Sequence, residues 1–302
     1  MKTFKKIVAF MLVAFLMLSM AACGGEKEGG SGGEKNEAPK NAIATVNWDK
    51  AKAYIIGAEL CKDDTTIRLY YEYTNLSDIP DSAYNSVRME LTQNGEELEE
   101  NYVSESDEID ALATNAVMSV QTGFSVRAVL TYELLDESKI SVKLYDYDEE
   151  ESDVNFELDP ANLPGKPTTT FTMKGVSDPK HAADADEEGT YRDDFEIAIK
   201  KMEVFEDDGK KLARIFFDFT NNGEEAESME FVTYMDVYQD GVELHPANPS
   251  ESVESDDNFA GDTEVGETSE VSICYVLRSE NPVEVAFYEF DEVVIGKVIP
   301  VK

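Results

Sequence analysis

The sequence has few of the residues from which catalytic and metal sites are usually built. It contains two histidines, His181 and His245, and neither has a histidine or cysteine neighbour at the spacing of metal ligands. It also lacks a His-Glu-x-x-His motif and a glycine-rich loop of the kind that cradles a phosphate. We therefore expect that the protein is not an enzyme and that it carries no cofactor of its own.

Positive charge is also scarce. The chain has 26 lysines and arginines against 64 aspartates and glutamates, which gives a formal charge of −38. Nucleic acids and anionic membrane surfaces are bound through basic patches, so the charge argues against both as direct partners. A large net charge mainly favours solubility, and we prefer that interpretation. Attraction for cations or for a basic partner is the alternative.

Long apolar runs are absent beyond the first twenty residues. There, residues 7–20 form an apolar run behind three lysines, and Met20-Ala21-Ala22-Cys23 closes it with small residues before a cysteine. The run is short for a membrane-spanning helix, which needs about 20 residues, whereas a cleaved secretory signal has this layout. The closing residues resemble a bacterial lipobox, which implies cleavage before Cys23 and a diacylglycerol lipid (palmitate) on its sulfur. An uncleaved membrane anchor is the alternative.

The segment after Cys23 has the composition of a flexible tether. Residues 24–40 are mostly Gly, Glu and Lys and contain no apolar cluster, so they cannot bury enough surface to fold. We predict a lipoprotein signal peptide at 1–22 and a lipidated cysteine with its tether at 23–44. The expected location is the extracytoplasmic face of the cell membrane, which the protein would contact through its lipid.

What the sequence does contain is a repeat. Residues 93–98, Gln-Asn-Gly-Glu-Glu-Leu, recur 146 positions later as Gln-Asp-Gly-Val-Glu-Leu at 239–244. The spacing is 144 at the front of the copies, where Ile55 matches Ile199, and 143 towards the end, where Tyr132 matches Tyr275. The changes in spacing fall between the patterned runs, as insertions in surface loops do. The chain is therefore built twice from one module.

Both copies have the alternating pattern of strands. Apolar residues recur at every second position of 67–73 and 213–219, which predicts strands with one buried and one exposed face. No stretch beyond the signal shows a long apolar period of 3.6 residues, so we predict no long helix. Several short strands in about 110 residues are typical of an immunoglobulin-like (Ig-like) sandwich, although the sequence has no Cys-Trp-Cys arrangement. A small antiparallel barrel is the alternative.

These patterns predict an all-β protein of two tandem Ig-like antiparallel β-sandwiches. We predict domain 1 at 45–160, a linker at 161–190 and domain 2 at 191–302; residues 168–173 of the linker are a possible late edge strand. Asn94-Gly95, Asp208-Gly209 and Asp240-Gly241 predict two-residue hairpin turns, because such turns need positive φ angles that Gly supplies readily. The repeated Gln93 and Gln239 are expected to cap the backbone of these turns.

The acidic segments after the two repeated hairpins are the candidate cation sites. Carboxylate oxygens are the ligands that calcium prefers, and six residues are candidates in these segments: Glu105, Asp107, Asp110, Glu251, Asp256 and Asp257. A solvated loop is the preferred interpretation, since runs of charge are usually solvated. Calcium binding is kept as an alternative function.

The cysteines do not follow the repeat. Cys61 aligns with Phe205 and Cys274 with Thr131, so neither has a partner within its own copy. We expect two free thiols; a bridge between the two copies stays open at this point.

Four motifs of the second copy carry a resemblance to a known family. They are an aromatic strand ending in Phe-Thr-Asn at 217–221, the hairpin at 239–244, Gly266-Glu267 and the strand end at 275–277. Together they resemble the Ig-like lipoprotein domain called domain of unknown function 5067, found in Firmicutes. The resemblance implies a surface lipoprotein with Ig-like modules and brings no catalytic residues. We expect a non-catalytic binding or interaction role with an unidentified envelope protein or ligand; an envelope hydrolase with a site between the modules is the less favoured alternative.

Overall fold

A computed structural model describes residues 39, 42–62, 64–147, 151–168, 182–290 and 292–302. The predicted signal peptide, Cys23, nearly all of the tether, His181 and most of the proposed strand at 168–173 lie outside these residues. Within them, no helix has the length and apolar character needed to cross a membrane.

The described residues are mostly strand. The strands are β1 (Ala44–Asn47), β2 (Ala51–Leu60), β3 (Thr66–Asn75), β4 (Asp81–Ser82), β5 (Arg88–Gln93), β6 (Glu96–Glu97), β7 (Ser119–Val120), β8 (Ser125–Glu133), β9 (Ile140–Tyr145), β10 (Val154–Leu158), β11 (Glu188–Tyr191), β12 (Phe195–Asp207), β13 (Lys210–Asn221), β14 (Met235–Gln239), β15 (Val242–Glu243), β16 (Pro246–Ala247), β17 (Thr268–Val276), β18 (Val283–Glu289) and β19 (Glu292–Ile299). The helices are α1 (Ala83–Ser86), α2 (Asp107–Val117), α3 (Met229–Val232) and α4 (Glu254–Asn258), with a 3₁₀ turn at Pro160–Asn162.

The first module is a sandwich of two antiparallel sheets. One sheet has the order β1-β2-β3-β8 and the other β10-β9-β5-β6. Alternate residues of both sheets, such as Leu69 and Tyr71 on one and Leu91 and Val142 on the other, are fully buried in one shared core. When two sheets pack face to face, every second residue of a strand points into the core between them, as is seen here.

The second module repeats this plan strand by strand. Its sheets are β11-β12-β13-β17-β16 and a second sheet that begins β19-β18-β14-β15. Even an irregularity is duplicated, since the β2–β3 register shifts between Ile55 and Gly57 and the β12–β13 register shifts between Ile199 and Lys201. The prediction of an all-β protein with tandem sandwich modules is confirmed.

The three predicted hairpin turns are confirmed by their backbone angles. Asn94 and Gly95 have φ of 54° and 85°, and Asp240 and Gly241 have 57° and 74°. The Asp208–Gly209 turn joins β12 to β13 with φ of 47° and 75°. Positive φ at both central residues gives the turn a twist that matches the flanking strands.

Helix α2 corrects two of the predictions. Asp107–Val117 begins at Ser106, whose hydroxyl accepts a hydrogen bond from the Ile109 N–H, and three acids lie in its first turn. Acids are favourable at a helix N-terminus, so the charge run that predicted a loop begins a helix instead. Ile109, Leu112 and Ala113 of α2 then cover Tyr70 of β3. Strand β3 is consequently buried on both faces, contrary to the prediction of one exposed face.

The second sheet of the second module continues into the first module. Its full order is β19-β18-β14-β15-β7-β4, and Val242 of β15 lies opposite Val120 of β7. The Gln121 N–H donates to the Gly241 carbonyl at 2.8 Å, and Val242 is fully buried in the first module's core. In the second copy, the repeated turn therefore contacts the first module, and the residue after the turn is buried in that module's core.

The end of the predicted linker, 161–190, packs against the second module. The Ala182 N–H donates to Glu284 at 3.3 Å, and Lys297 Nζ binds Glu187 at 2.6 Å. Strand β11 begins at Glu188 and pairs with β12. A methyl group at Gly296 would lie 2.7 Å from the Ala182 Cα, so this strand position needs glycine for the close approach.

Candidate functional site

One candidate acid of the first module, Glu105, pairs with a buried arginine. Arg68 lies in β3 with 1% of its side chain exposed, and its Nη1 bridges Glu105 at 3.0 Å and Glu59 at 3.1 Å. Glu105 also accepts the Lys62 N–H at 2.6 Å, and this hydrogen bond holds the pKa of Glu105 below its ordinary value. A buried charge must be paired, so Glu105 has a structural task as a counter-ion.

The second module repeats this ion pair at the matching arginine. Arg214, 146 positions after Arg68, bridges Asp256 at 2.9 Å from Nη2. The same nitrogen donates to the Glu251 carbonyl at 2.9 Å. Asp256 also accepts hydrogen bonds from the Val253 N–H and the Ser272 hydroxyl. The duplicated acidic segments therefore share one role, which is to close over a buried arginine.

The other candidate acids lie apart from these pairs. Asp110 accepts the Tyr102 hydroxyl at 2.6 Å and the Ser104 hydroxyl at 2.9 Å, and the Tyr102 bond lowers its pKa. Asp107 and Asp257 are exposed on α2 and α4. In the described part of the chain, no group of three or more His, Cys, Asp or Glu is placed to hold a metal ion. Calcium binding by these segments stays a prediction.

Both described cysteines are free thiols, as predicted. Cys61 and Cys274 are buried and unbridged. Cys274 lies opposite Arg214 on the neighbouring strand, and Cys61 interacts electrostatically with Arg68. Burial raises the pKa of the Cys274 thiol, which keeps it protonated and unreactive. Cysteines from unrelated positions of the repeat thus lie beside equivalent arginines.

The repeated glutamines hold loops in place. Gln93 Nε2 donates to the carbonyls of Asp136 and Ser138 at 3.0 and 2.7 Å, and its Oε1 accepts the Leu135 N–H. Gln239 makes the same bonds to the matching loop, at Ser279, Asn281 and Arg278. The prediction that these glutamines cap their own turns is wrong, because each one reaches the neighbouring β8–β9 or β17–β18 loop instead.

The repeated asparagines are structural in the same way. Asn75 and Asn221 are fully buried at the ends of β3 and β13. Asn75 Nδ2 donates to Ile79 and Val120, and Asn221 Nδ2 donates to Glu225 and Thr263, all at 2.7 to 2.8 Å. The shared glutamines and asparagines are therefore satisfied inside the fold, where they are not available to a ligand.

Within the described residues, a cleft at one end of the first module is the feature best suited to bind a ligand. Four parts of the chain form it: the β1–β2 turn at 48–51, the loop at 77–79, residues 81–88 around α1, and, after β9, Asp146, Tyr147 and Glu151. Its volume of about 810 Å³ lies within the usual range for small-molecule sites. Trp48, the only tryptophan of the chain, lines it.

Aromatic and polar side chains give the cleft a fixed shape. Trp48 Nε1 donates to the Ser152 carbonyl at 3.1 Å. The Arg88 guanidinium lies 4.7 Å from the Tyr84 ring centre and 5.3 Å from that of Tyr147. Ser86 is hydrogen-bonded to both Asp81 and the Tyr73 hydroxyl, each at 2.6 Å. These contacts preorganise the walls, which lowers the entropy lost on binding.

The sequence offered one signal for this cleft, the single tryptophan, and the repeat pointed away from it. In the second module, Tyr191 lies at the position of Trp48, Glu225 replaces Ile79 and Tyr234 replaces Arg88. The apolar Ile79 and the cationic Arg88 are therefore not shared between the copies, so the repeat does not mark this cleft.

Comparisons with known proteins identify a family and show no function. The family model for a domain of unknown function, DUF5067, matches residues 26–146 and 172–289. No protein with a curated description matches the chain.

Two solved structures are similar to parts of the fold. A protein from Staphylococcus aureus subsp. aureus NCTC 8325, provisionally described as a lipoprotein, is 15% identical with a TM-score of 0.35; the match covers 44% of this chain and 97% of that one. The N-terminal periplasmic domain of ScsB from Proteus mirabilis is 8% identical with a TM-score of 0.26, over 85% of this chain and 98% of that one. Scores this low carry no functional argument.

Proposed function

The chain belongs to the DUF5067 family, and from that premise we propose that it is a lipid-anchored extracytoplasmic protein with a non-catalytic binding role at the cell envelope. The cleft beside Trp48 carries the binding part of the proposal. It is open, it has fixed walls, and it is assembled from loops at the end of a rigid sandwich, where binding sites are commonly placed.

The anchoring part of the proposal is supported by the sequence. The apolar run at 7–20 ends at Met20-Ala21-Ala22-Cys23, and a segment without apolar clusters separates that cysteine from β1. A lipid at one end of a flexible tether holds the modules near the membrane without burying them in it.

Metabolic labelling with a tagged lipid precursor tests the anchor. The wild-type protein should take up the label and partition with membranes, whereas Cys23→Ala should do neither. Label on the Cys23→Ala protein would refute lipidation at this residue. Cys61→Ala is the matched control, since this thiol is buried inside the first module and should not affect labelling.

Site-specific crosslinking in intact cells tests the binding role. A photoreactive residue placed at Tyr147, which lines the cleft and is 69% exposed, should capture a ligand or partner. Phe290 is the matched control, because it follows Tyr147 by 143 positions in the repeat and is 98% exposed without a described cleft around it. Equal capture at the two positions, or capture at Phe290 alone, would contradict a site in the cleft.

A further inference from the structure

The side chains of the cleft define which ligand it would accept. Ile79 and Tyr147 line the cleft and are more than half exposed, whereas Trp48 presents only an edge, because 7% of it is exposed and the rest packs in the core of the module. Exposed aromatic and aliphatic groups inside a concave site are favourable contacts for the apolar part of a ligand. A purely ionic ligand would leave this surface unused.

The charge around these apolar groups is negative. Five carboxylates line the cleft against two cationic side chains: Asp49, Asp78, Asp81, Asp146 and Glu151 against Lys50 and Arg88. The Arg88 cation faces the rings of Tyr84 and Tyr147. A concave site of one sign concentrates ligands of the opposite sign and rejects those of its own. Phosphates, carboxylates and other anions are therefore disfavoured.

We propose that the cleft binds a ligand that carries a cationic nitrogen next to an apolar group, as a short peptide with lysine beside leucine does. The apolar group lies against Ile79 and the exposed part of the Tyr147 ring, and the carboxylates of the cleft pair with the cationic nitrogen. This inference rests on the proposed binding role and gives that role its ligand chemistry.

The chain contains its own reporter for this test. Trp48 is the only tryptophan and it lines the cleft, so a change in tryptophan emission on titration reports on this site and not on the second module. The tripeptide amide Lys-Leu-Lys is the probe, added to the soluble mature chain. Lys-Gly-Lys lacks the apolar group, Glu-Leu-Glu reverses the charge, and spermidine supplies the cations from a source other than a peptide.

We expect saturable binding of Lys-Leu-Lys that weakens as salt is raised, because charge contributes to it. Each of Asp49→Asn and Asp78→Asn should weaken binding by about threefold, the range of an exposed ion pair. Tyr147→Ala should weaken it by about fivefold through loss of the apolar contact with the ring. Glu224→Gln is the matched control, since Glu224 corresponds to Asp78 in the second module and should have no effect.

The outcomes separate this inference from the proposed function. Equal binding of Lys-Gly-Lys or spermidine would overturn the apolar half of the inference, and binding of Glu-Leu-Glu would overturn the cationic half. Failure of every cationic probe together with cleft-specific capture at Tyr147 in cells would overturn the ligand chemistry and leave the binding role standing. Loss of capture at Tyr147 would remove the binding role itself.

Discussion

The two modules use the same hairpin for opposite purposes. In the second module, Val242 follows the Asp240–Gly241 turn and is fully buried in the first module's core. In the first module, Glu96 follows the Asn94–Gly95 turn and is exposed. One substitution between copies therefore distinguishes a hairpin that joins modules from one that faces solvent.

The sheet edge to which the hairpin of the second module adds in the first module also differs between the two copies. In the first module, β4 and β7 pair between Asp81 and Val120, and β15 adds to the other side of β7. The second module keeps the matching bridge, between Glu227 and Thr263, but Thr263 replaces Val120 and Glu267 replaces Phe124. Charged residues at open edges discourage further strand addition. The divergence limits a potentially repeating contact to a single junction.

Exchanging the residues that follow the two matching turns should have the largest effect on stability. Val242→Glu gives the second hairpin the residue of the first and forces a carboxylate into an apolar core. We expect a loss of about 4 kcal/mol in the free energy of unfolding, because the buried charge has no partner. Denaturant-induced unfolding measures the change.

The converse substitution is the control. Glu96→Val alters an exposed strand position and should change the unfolding free energy by less than about 0.5 kcal/mol. Equal losses of unfolding free energy in the two variants would mean that the burial of Val242 in the first module's core does not stabilise the protein.

The buried arginines should respond unequally to loss of a carboxylate. In the described chain Arg214 bridges one carboxylate, Asp256, whereas Arg68 bridges both Glu59 and Glu105. Asp256→Ala should cost about 3 kcal/mol because it leaves a buried cation unpaired. Glu105→Ala should cost about half as much, because Glu59 remains. Chemical unfolding of both variants tests the order, and the reverse order would contradict the assigned pairing.

Glycine-to-alanine changes at the matching turns isolate the contact between modules. Both glycines have positive φ, which costs alanine about 1 kcal/mol. At Gly95 an added methyl group meets nothing within 4 Å, but at Gly241 it would lie 2.0 Å from the Phe124 ring. We expect Gly241→Ala to cost about 1 kcal/mol more than Gly95→Ala, since the ring must move. Equal thermal shifts would show that the ring moves freely.

A buried carboxyl gives the second module a pH dependence. Burial raises the pKa of Asp236 from 3.8 to about 6, although the Tyr238 hydroxyl donates to it at 2.8 Å. The pKa of Asp236 is higher in the folded state than in the unfolded state. Its ionisation therefore destabilises the folded state as the pH rises from 3.8 to about 6. Asp236→Asn should therefore gain about 1 kcal/mol over the wild type at neutral pH and nothing below pH 3.8.

Unfolding curves at several pH values check this difference. Glu90→Gln, at the matching half-buried position of the first module, is the control. A gain for Asp236→Asn that is the same at every pH would show that titration of Asp236 is not its cause.

Calcium should have the smallest effect. If the acidic segments bind calcium through Asp107, Asp257 or their neighbours, millimolar calcium should raise the melting temperature, as any ligand of the folded state does. Asp257→Asn should reduce the rise in that case. A melting temperature that does not respond to calcium, with magnesium as the reference, would end this hypothesis.

Local features of the fold were predictable from the sequence. Alternation predicted strands such as β3 and β13, and the Asn-Gly and Asp-Gly pairs predicted their turns, because both signals depend on residues close together in the chain. Helix α2 was missed since its three leading acids favour a loop by composition. Their position behind Ser106, a capping residue, was the better signal.

Features that join distant segments could not be predicted in this way. Arg68 alternates with apolar residues as a solvent-facing residue would, and only the covering segment at 103–117 buries it. The cleft needs four loops from different parts of the first module. Val242 is an ordinary strand residue by its local pattern, and its insertion into the other module depends on how the modules meet.

The single junction between modules also makes the chain sensitive to its own concentration. The Asp240–Gly241 turn reaches the first module within the same chain, so the linker sets an effective concentration for that contact, typically millimolar for short connections. The contact surfaces are identical in every copy. At a comparable concentration of separate chains, the same turn can insert into a neighbouring copy and exchange modules between the two chains.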